Sequence, residues 1–419
     1  MQTRRGFIGT AAAASAALSA PAALGQARPR VVVIGGGCGG ATAARYIAKD
    51  SDGAIEVVLI EPSRTYYTCF FGNLYLGGFY DYDDLGHTYD RLATNGVTVV
   101  HDYATGVDRD AKTVRLASGV DIAYDRLVVA PGIDFKWDSV PGYSIEAQGT
   151  IPHAWKGATQ VRLLKEQLAA MPEGGLFVMM PPPNPYRCPP GPYERISMVA
   201  HYFTQTNPTA KIVVLDPKEK FSKQALFMEG WQAHYPGMIE WLPASMTDGV
   251  QSLDVASKTF ETGLDTFAAD VACVVPAQKA GHIAETAGLT DESGFCPIVP
   301  ATMQSAMDEA IHVLGDSTIA GDMPKSGFSA NSQAKAAAMA IRAALTDSRA
   351  FPPRFANTCW SLIATEDGVK VGARYEATEE KIAKTDGFIS QTGEDAALRK
   401  QTYEESLGWY AGITADMFG

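Results

Sequence analysis

In this 419-residue chain Cys188 stands in a proline-rich run whose composition points to sulfur chemistry. The run Pro181-Pro182-Pro183-Asn184-Pro185-Tyr186-Arg187-Cys188-Pro189-Pro190-Gly191-Pro192-Tyr193-Glu194-Arg195 puts Cys188 in a stiff turn with Glu194 just beyond it. Prolines fix their own φ and offer no amide hydrogen. The run follows a strand-like segment, Leu176–Met180, where a second dinucleotide-binding unit would carry glycines whose amides hold a pyrophosphate. The usual nicotinamide dinucleotide site is therefore expected to be absent. Electrons are expected to enter through sulfur.

A first nucleotide loop is present. The β-branched run Arg30–Ile34 opens into Gly35-Gly36-Gly37-Cys38-Gly39-Gly40 and the Ala-rich stretch Ala41–Ala48. Gly35, Gly37 and Gly40 fit G-x-G-x-x-G, which needs a tight turn, close backbone approach to a pyrophosphate and close helix packing. A second strand-like run, Ile55–Ile60, ends in Glu61, at the spacing where an acid binds ribose hydroxyls. Leu127–Gly132 fits the strand and turn that close the first section of a two-dinucleotide flavoprotein. Ile311–Asp316 fits its late strand, with Asp316 placed for the ribityl chain. Together these favour FAD over NAD.

The elements that must position these residues alternate as in a doubly wound fold. The expected fold class is α/β: two Rossmann-like dinucleotide-binding domains of the glutathione-reductase/disulfide-oxidoreductase type plus a smaller C-terminal α+β domain. Residues 28–142 and 278–350 are assigned to the FAD-binding domain, with a small β excursion at Thr98–Val100 and Val114–Leu116. Residues 143–277 form the second, degenerate Rossmann-like domain: a helix near Gln160–Met171, Leu176–Met180, a helix at Ile196–Thr204 and Lys211–Leu215 ending before Asp216. A helix is expected over Asn331–Leu345, its N-terminal dipole against the flavin pyrimidine end. From Phe351, after which Pro352-Pro353 breaks the pattern, residues 351–419 form the C-terminal interface domain.

Residues 1–27 read as a twin-arginine export signal: Arg4-Arg5-Gly6-Phe7, an Ala-rich apolar run, then Gly25-Gln26-Ala27 for cleavage. A periplasmic location follows. Cleavage would take the net charge from −12 to about −14, since the segment carries Arg4 and Arg5 and no acid. That argues against nucleic acid or an anionic membrane as partner. No other stretch is long enough to span a bilayer. The six cysteines, Cys38, Cys69, Cys188, Cys273, Cys296 and Cys359, allow many pairings. Cys38 in the glycine loop and Cys273 in Val271–Val275 read as packed small residues, while Cys296 fits either role. No C-x-x-C-H occurs, so no haem attachment site of that kind is present, and no metal site is expected.

The chain resembles the flavoprotein subunit of flavocytochrome c sulfide dehydrogenase and the related flavoprotein of bacterial sulfur-oxidation systems. The resemblance rests on Gly39–Ala44, Tyr66-Tyr67-Thr68-Cys69, Pro152–Lys156, Arg187–Arg195, Pro324–Gly327, Ser329–Gln333, Asn357-Thr358-Cys359 and the ending Trp409-Tyr410 to Phe418-Gly419. It departs at Cys38, where the family has threonine, at the extra thiol Cys273, and at Phe71-Gly72-Asn73 after Cys69. The resemblance implies that Cys69 bonds covalently to the flavin 8α carbon, that Cys188 and Cys359 form a redox disulfide beside it, and that Glu194 is the active-site carboxylate. It further implies that sulfide is oxidised to sulfane sulfur or polysulfide and that a mono- or dihaem c-type cytochrome subunit takes the electrons. Two other readings use the same residues: an accessory flavoprotein that resets carrier thiols in a sulfur-oxidation complex, and a sulfide:quinone oxidoreductase. The latter needs a membrane-seating segment near the C-terminus, of which the polar stretch Glu379–Glu405 offers little.

Overall fold

The computed structural model describes residues 28–419, so the export-signal expectation for residues 1–27 lies outside the described residues. The strands Asp308–Val313, Arg126–Val129, Arg30–Ile34, Glu56–Ile60 and Val97–Val100 lie side by side in parallel, with Gln304–Ser305 antiparallel at one edge. Their near-continuous Val, Ile and Leu content fits a sheet covered on both faces. Val97–Val100 corrects the sequence expectation for Thr98–Val100. It pairs with Glu56–Ile60 as an edge of the main sheet, whereas Thr113–Leu116 belongs to a separate three-stranded sheet with Ala104–Asp108 and Asp121–Ala123. Short β-branched runs look alike in sequence, and only pairing separates them.

One face of the main sheet is covered by the helix Cys38–Asp50, which packs on the long helix Gly327–Thr346. Buried Ala41, Ala44, Ala334 and Ala337 let the helices approach closely, and Cys38 Sγ donates to Gly327 O at 2.9 Å. The long helix starts four residues earlier than the run from Asn331 suggests. Ser326 caps it by accepting from Ser329 N at 3.1 Å, a signal hidden by the glycine that follows.

A second parallel sheet has the order Ile239–Pro243, Lys211–Asp216, Leu176–Met180, Val271–Val274. The helix Gly191–Thr206 connects Leu176–Met180 to Lys211–Asp216 and begins five residues before Ile196, because Gly191 and Pro192 suit a first turn. The chain then builds an antiparallel sheet from Arg354–Ala364, Asp367–Ala377 and Ile382–Ile389, and closes with the helix Ala396–Phe418. Asp416 on this helix anchors it to the first nucleotide unit. Its carboxylate accepts from Tyr46 Oη (2.7 Å) and Asn331 Nδ2 (2.8 Å) and pairs with Lys335 Nζ (2.6 Å). No helix among the described residues is long and apolar enough to cross a membrane.

Candidate active site

The glycine loop is shaped by contact. Gly35 holds φ 96°, and a Cβ there would lie 2.5 Å from Ala130 O; at Gly40 it would lie 1.8 Å from Gly35 O. Gly37 caps the following helix without a side-chain bond, and no acid occupies the helix's first turn. This leaves amides and the positive end of the dipole for a diphosphate. Glu61, at the end of its strand, accepts from Gly36 N (2.8 Å) and Ser63 N (2.9 Å), tying the second strand to the loop.

Asp316 follows the strand Asp308–Val313 in a tight turn. Its Oδ2 is 4.0 Å from Arg187 Nη1, while the buried Oδ1 has no partner. Burial pushes this carboxyl upward, against the pull of Arg187 and Lys325. A buried orphaned acceptor calls for a donor such as a sugar-chain hydroxyl. With the glycine cradle and Glu61, these residues fit FAD.

Cys69, Cys188, Cys359, Glu194 and Glu61 line one cavity of about 490 Å³, walled by Trp155, Trp360 and Trp409. The loop glycines and Asp316 do not line it. They adjoin it through the Gly36–Glu61 bond and the Arg187–Asp316 contact. All six cysteines are free thiols in this structure, Cys69 being exposed. Cys188 holds a left-handed φ of 58°, unusual for a residue with a side chain. It is fixed by Cys188 N donating to Lys325 O (2.8 Å) and by Gly191 N donating to Cys188 O (2.8 Å). Gly191 is glycine for a steric reason: a Cβ would meet Trp155 Cη2 at 2.8 Å and Cys188 Sγ at 2.9 Å. Burial, followed by the neighbouring Cys359 and Glu194, pushes the Cys188 thiol well above its ordinary value. Cys359 comes from the strand Arg354–Ala364, and its sulfur accepts from Asn357 Nδ2 at 3.4 Å.

Glu194, in the first turn of its helix, is 6% exposed. Its carboxylate accepts from Asn73 Nδ2 (2.8 Å) and Leu362 N (3.0 Å). Burial raises its carboxyl above the usual range; the bonds from Asn73 and Leu362, then Lys223 and Arg195, work against that. Beside it, buried Arg195 donates through Nε to Asn73 Oδ1 (3.2 Å) and through Nη1 to His153 O (3.0 Å) and Cys273 Sγ (3.3 Å). In the second Rossmann-like unit, the acid that would take a ribose hydroxyl is already engaged. Asp216 pairs with Lys218 Nζ (2.7 Å) and accepts from Tyr193 Oη (2.6 Å) and Trp241 Nε1 (2.9 Å).

Three family models match the chain: pyridine nucleotide-disulphide oxidoreductase over residues 29–169, the central region of the sulfide dehydrogenase [flavocytochrome c] flavoprotein chain over 161–276, and the flavocytochrome c sulphide dehydrogenase flavin-binding region over 351–418. The sulfide dehydrogenase [flavocytochrome c] flavoprotein chain of Chlorobaculum thiosulfatiphilum is 52% identical over 44 residues, which is 10% of this chain and 90% of that sequence. The chain belongs to the flavocytochrome c sulfide dehydrogenase flavoprotein family. A mitochondrial sulfide:quinone oxidoreductase of Dictyostelium discoideum is 30% identical over 113 residues, covering 27% of this chain; the chain thus spans about a quarter of that relative's length, 25%. The sulfide:quinone oxidoreductase of Aquifex aeolicus shares the fold, with a TM-score of 0.72 at 18% identity over 93% of this chain and 92% of that one.

For this family member, sequence reasoning missed Asn73, Arg195 and Lys223 as neighbours of the site. Arg195 directly follows Glu194 and could have been found. Asn73 belongs to the departure from the family pattern after Cys69, and its side chain binds Glu194. Lys223 lies among Lys218, Glu219 and Lys220, a charged run that reads as a solvated surface.

Proposed function

We propose that this flavoprotein oxidises sulfide through a Cys188–Cys359 dithiol/disulfide pair and passes the electrons to a c-type cytochrome in the periplasm, after export by the twin-arginine route. The observation that carries this reading is the shared cavity: two thiols from distant segments meet a buried carboxylate and Cys69 in one apolar-walled space.

Hydrosulfide adds its sulfur to one cysteine of the disulfide, the bridge breaks, and the other cysteine leaves as thiolate. A second hydrosulfide removes the added sulfur as hydrodisulfide, leaving a thiol and a thiolate. Their closure to the disulfide releases two electrons and one proton. FAD, when bound, would be held by Gly35, Gly37, Gly40, Glu61 and Asp316 and covalently by Cys69, and would supply a two-electron acceptor for that pair with a one-electron outlet toward a haem. Glu194 holds or moves the proton at the sulfur atoms, a task suited to a carboxyl raised by burial. Acid denaturation is expected to leave flavin on a peptide containing Cys69.

A quinone acceptor is the second reading. It is favoured by exposed Phe388, Ile389 and Leu398 in the stretch whose sequence looked polar, because apolar side chains in one region can seat on a bilayer. Sulfide-dependent reduction of cytochrome c and of a water-soluble quinone by the purified holoprotein separates the two. Faster cytochrome reduction supports the proposal; reduction of quinone alone overturns its acceptor half.

A further inference from the structure

Lys223 has no part in the scheme above, yet it is buried beside it. It precedes the helix Gln224–His234, holds a left-handed φ of 63° and is 5% exposed. Its Nζ donates to Cys359 O (3.1 Å), Ser361 Oγ (2.8 Å) and Val369 O (3.4 Å), all neutral oxygens on two adjacent strands. Among the described residues no carboxylate forms an ion pair with it. The groups whose negative charge reaches it are Cys359, Glu194 and Cys188, and the Phe227 ring lies 5.8 Å from Nζ. A buried ammonium with neutral partners is costly unless a counter-charge is supplied. Here the groups that can supply one are Glu194 and the two thiols.

We propose that Lys223 is a positioning residue: it fixes the Cys359 strand through two main-chain carbonyls and provides the counter-charge for a thiolate on Cys359. This rests on the reading of Cys188 and Cys359 as the redox pair. When hydrosulfide forms a bond to the Cys188 sulfur, the Cys188–Cys359 bond breaks and its electron pair remains on Cys359, the residue whose carbonyl accepts from Lys223 Nζ. The lower-pKa thiol is the better leaving group. Burial raises both thiols, and Cys359 is drawn back by the Asn357 bond and then by Lys223, against Glu194. Lys223 itself is lowered by burial to about 8, with negative charge on Cys359, Glu194 and Cys188 pulling it back up. Lysine and thiol therefore titrate as a coupled pair. Burial, and then the charge of Cys359, also raises the phenol of Tyr375 on the next strand.

The test is the pH profile of alkylation. Flavin-loaded protein is reduced to the dithiol, pulsed with iodoacetamide from pH 7 to 11.5, and Cys188 and Cys359 modification is read by peptide mass spectrometry. Lys223→Met is expected to move the Cys359 midpoint up by roughly one pH unit or more, the size of effect an adjacent charge exerts. The Cys188 midpoint should move less, and Lys223→Arg should restore the wild-type profile. Lys223→Gln, which keeps a donor and loses the charge, serves if the Met variant does not fold. An unchanged Cys359 midpoint in either neutral variant overturns the proposal. Failure of oxidised wild-type protein to form the Cys188–Cys359 bridge overturns the redox-pair reading instead, and the alkylation midpoints still decide the role of Lys223.

Discussion

Gly191→Ala is a one-carbon probe of how tightly the Cys188 sulfur is held. The added Cβ would sit 2.9 Å from Cys188 Sγ and 2.8 Å from the Trp155 ring, against an ordinary contact of 3.4 Å or more. The sulfur or the ring must yield by about 0.5 Å, and Trp155 is buried, with Arg195 stacked 4.8 Å from its centroid. Overpacking of this kind costs about 1–3 kcal/mol. A disulfide tolerates a Cβ separation of only about 3.5–4.5 Å, so a shift of half an ångström uses much of that range. Taking a misplacement of about 1 Å as a hundredfold loss, the expected fall in sulfide-dependent turnover is about tenfold. Gly412→Ala is the matched control: it lies in the helix Ala396–Phe418 with nothing within 4 Å of its Cβ position. There alanine should stabilise by about 0.5–1 kcal/mol and leave turnover alone. Thermal unfolding and steady-state flavin reduction by sulfide read both variants. Equal turnover and equal midpoints for the two alanine variants would refute the claim that Gly191 is required by the Cys188 sulfur.

Glu194→Gln should lower turnover by about 10²-fold, at the low end for general acid–base catalysis, and remove one ionisation from the pH–rate profile. An unaltered profile would exclude Glu194 as the proton carrier. Asp216→Ala strands buried Lys218 and should destabilise by about 3–5 kcal/mol, seen in denaturant unfolding, while sulfide chemistry in the surviving folded protein is unchanged. Stability should also fall as pH drops below about 6.5, the unfolded histidine value. Burial holds His153 and His312 neutral, each lowered to about 3, so the unfolded chain binds more protons across that window. A flat stability profile between pH 6.5 and 4 would contradict this, with unfolding midpoints as the measure.

Much of the scaffold was legible in the chain because local chemistry and long-range structure agree there. Arg30–Ile34 and Leu176–Met180 are read directly as buried parallel strands, and Gly35 and Gly40 are glycines because backbone lies where their Cβ atoms would be. The Cys188 turn was visible through its prolines, and Cys359 through the resemblance alone, since nothing in Asn357-Thr358-Cys359 marks a reactive thiol. Val97–Val100 was misplaced because strand pairing is non-local. Lys223 was invisible for a different reason: in sequence a lysine among charges looks solvated, and only the fold brings the carbonyls of Cys359 and Val369 around its ammonium.

In the proposed scheme electrons from sulfide enter through Cys188 and Cys359. Anaerobic mixing of sulfide with the flavin-loaded protein, followed by loss of flavin absorbance, tests it in the wild type and in Cys359→Ser. The wild-type flavin should be bleached at catalytic rates, and the variant, with its flavin still in place, should not. Flavin reduction at the same rate in both proteins would contradict the scheme.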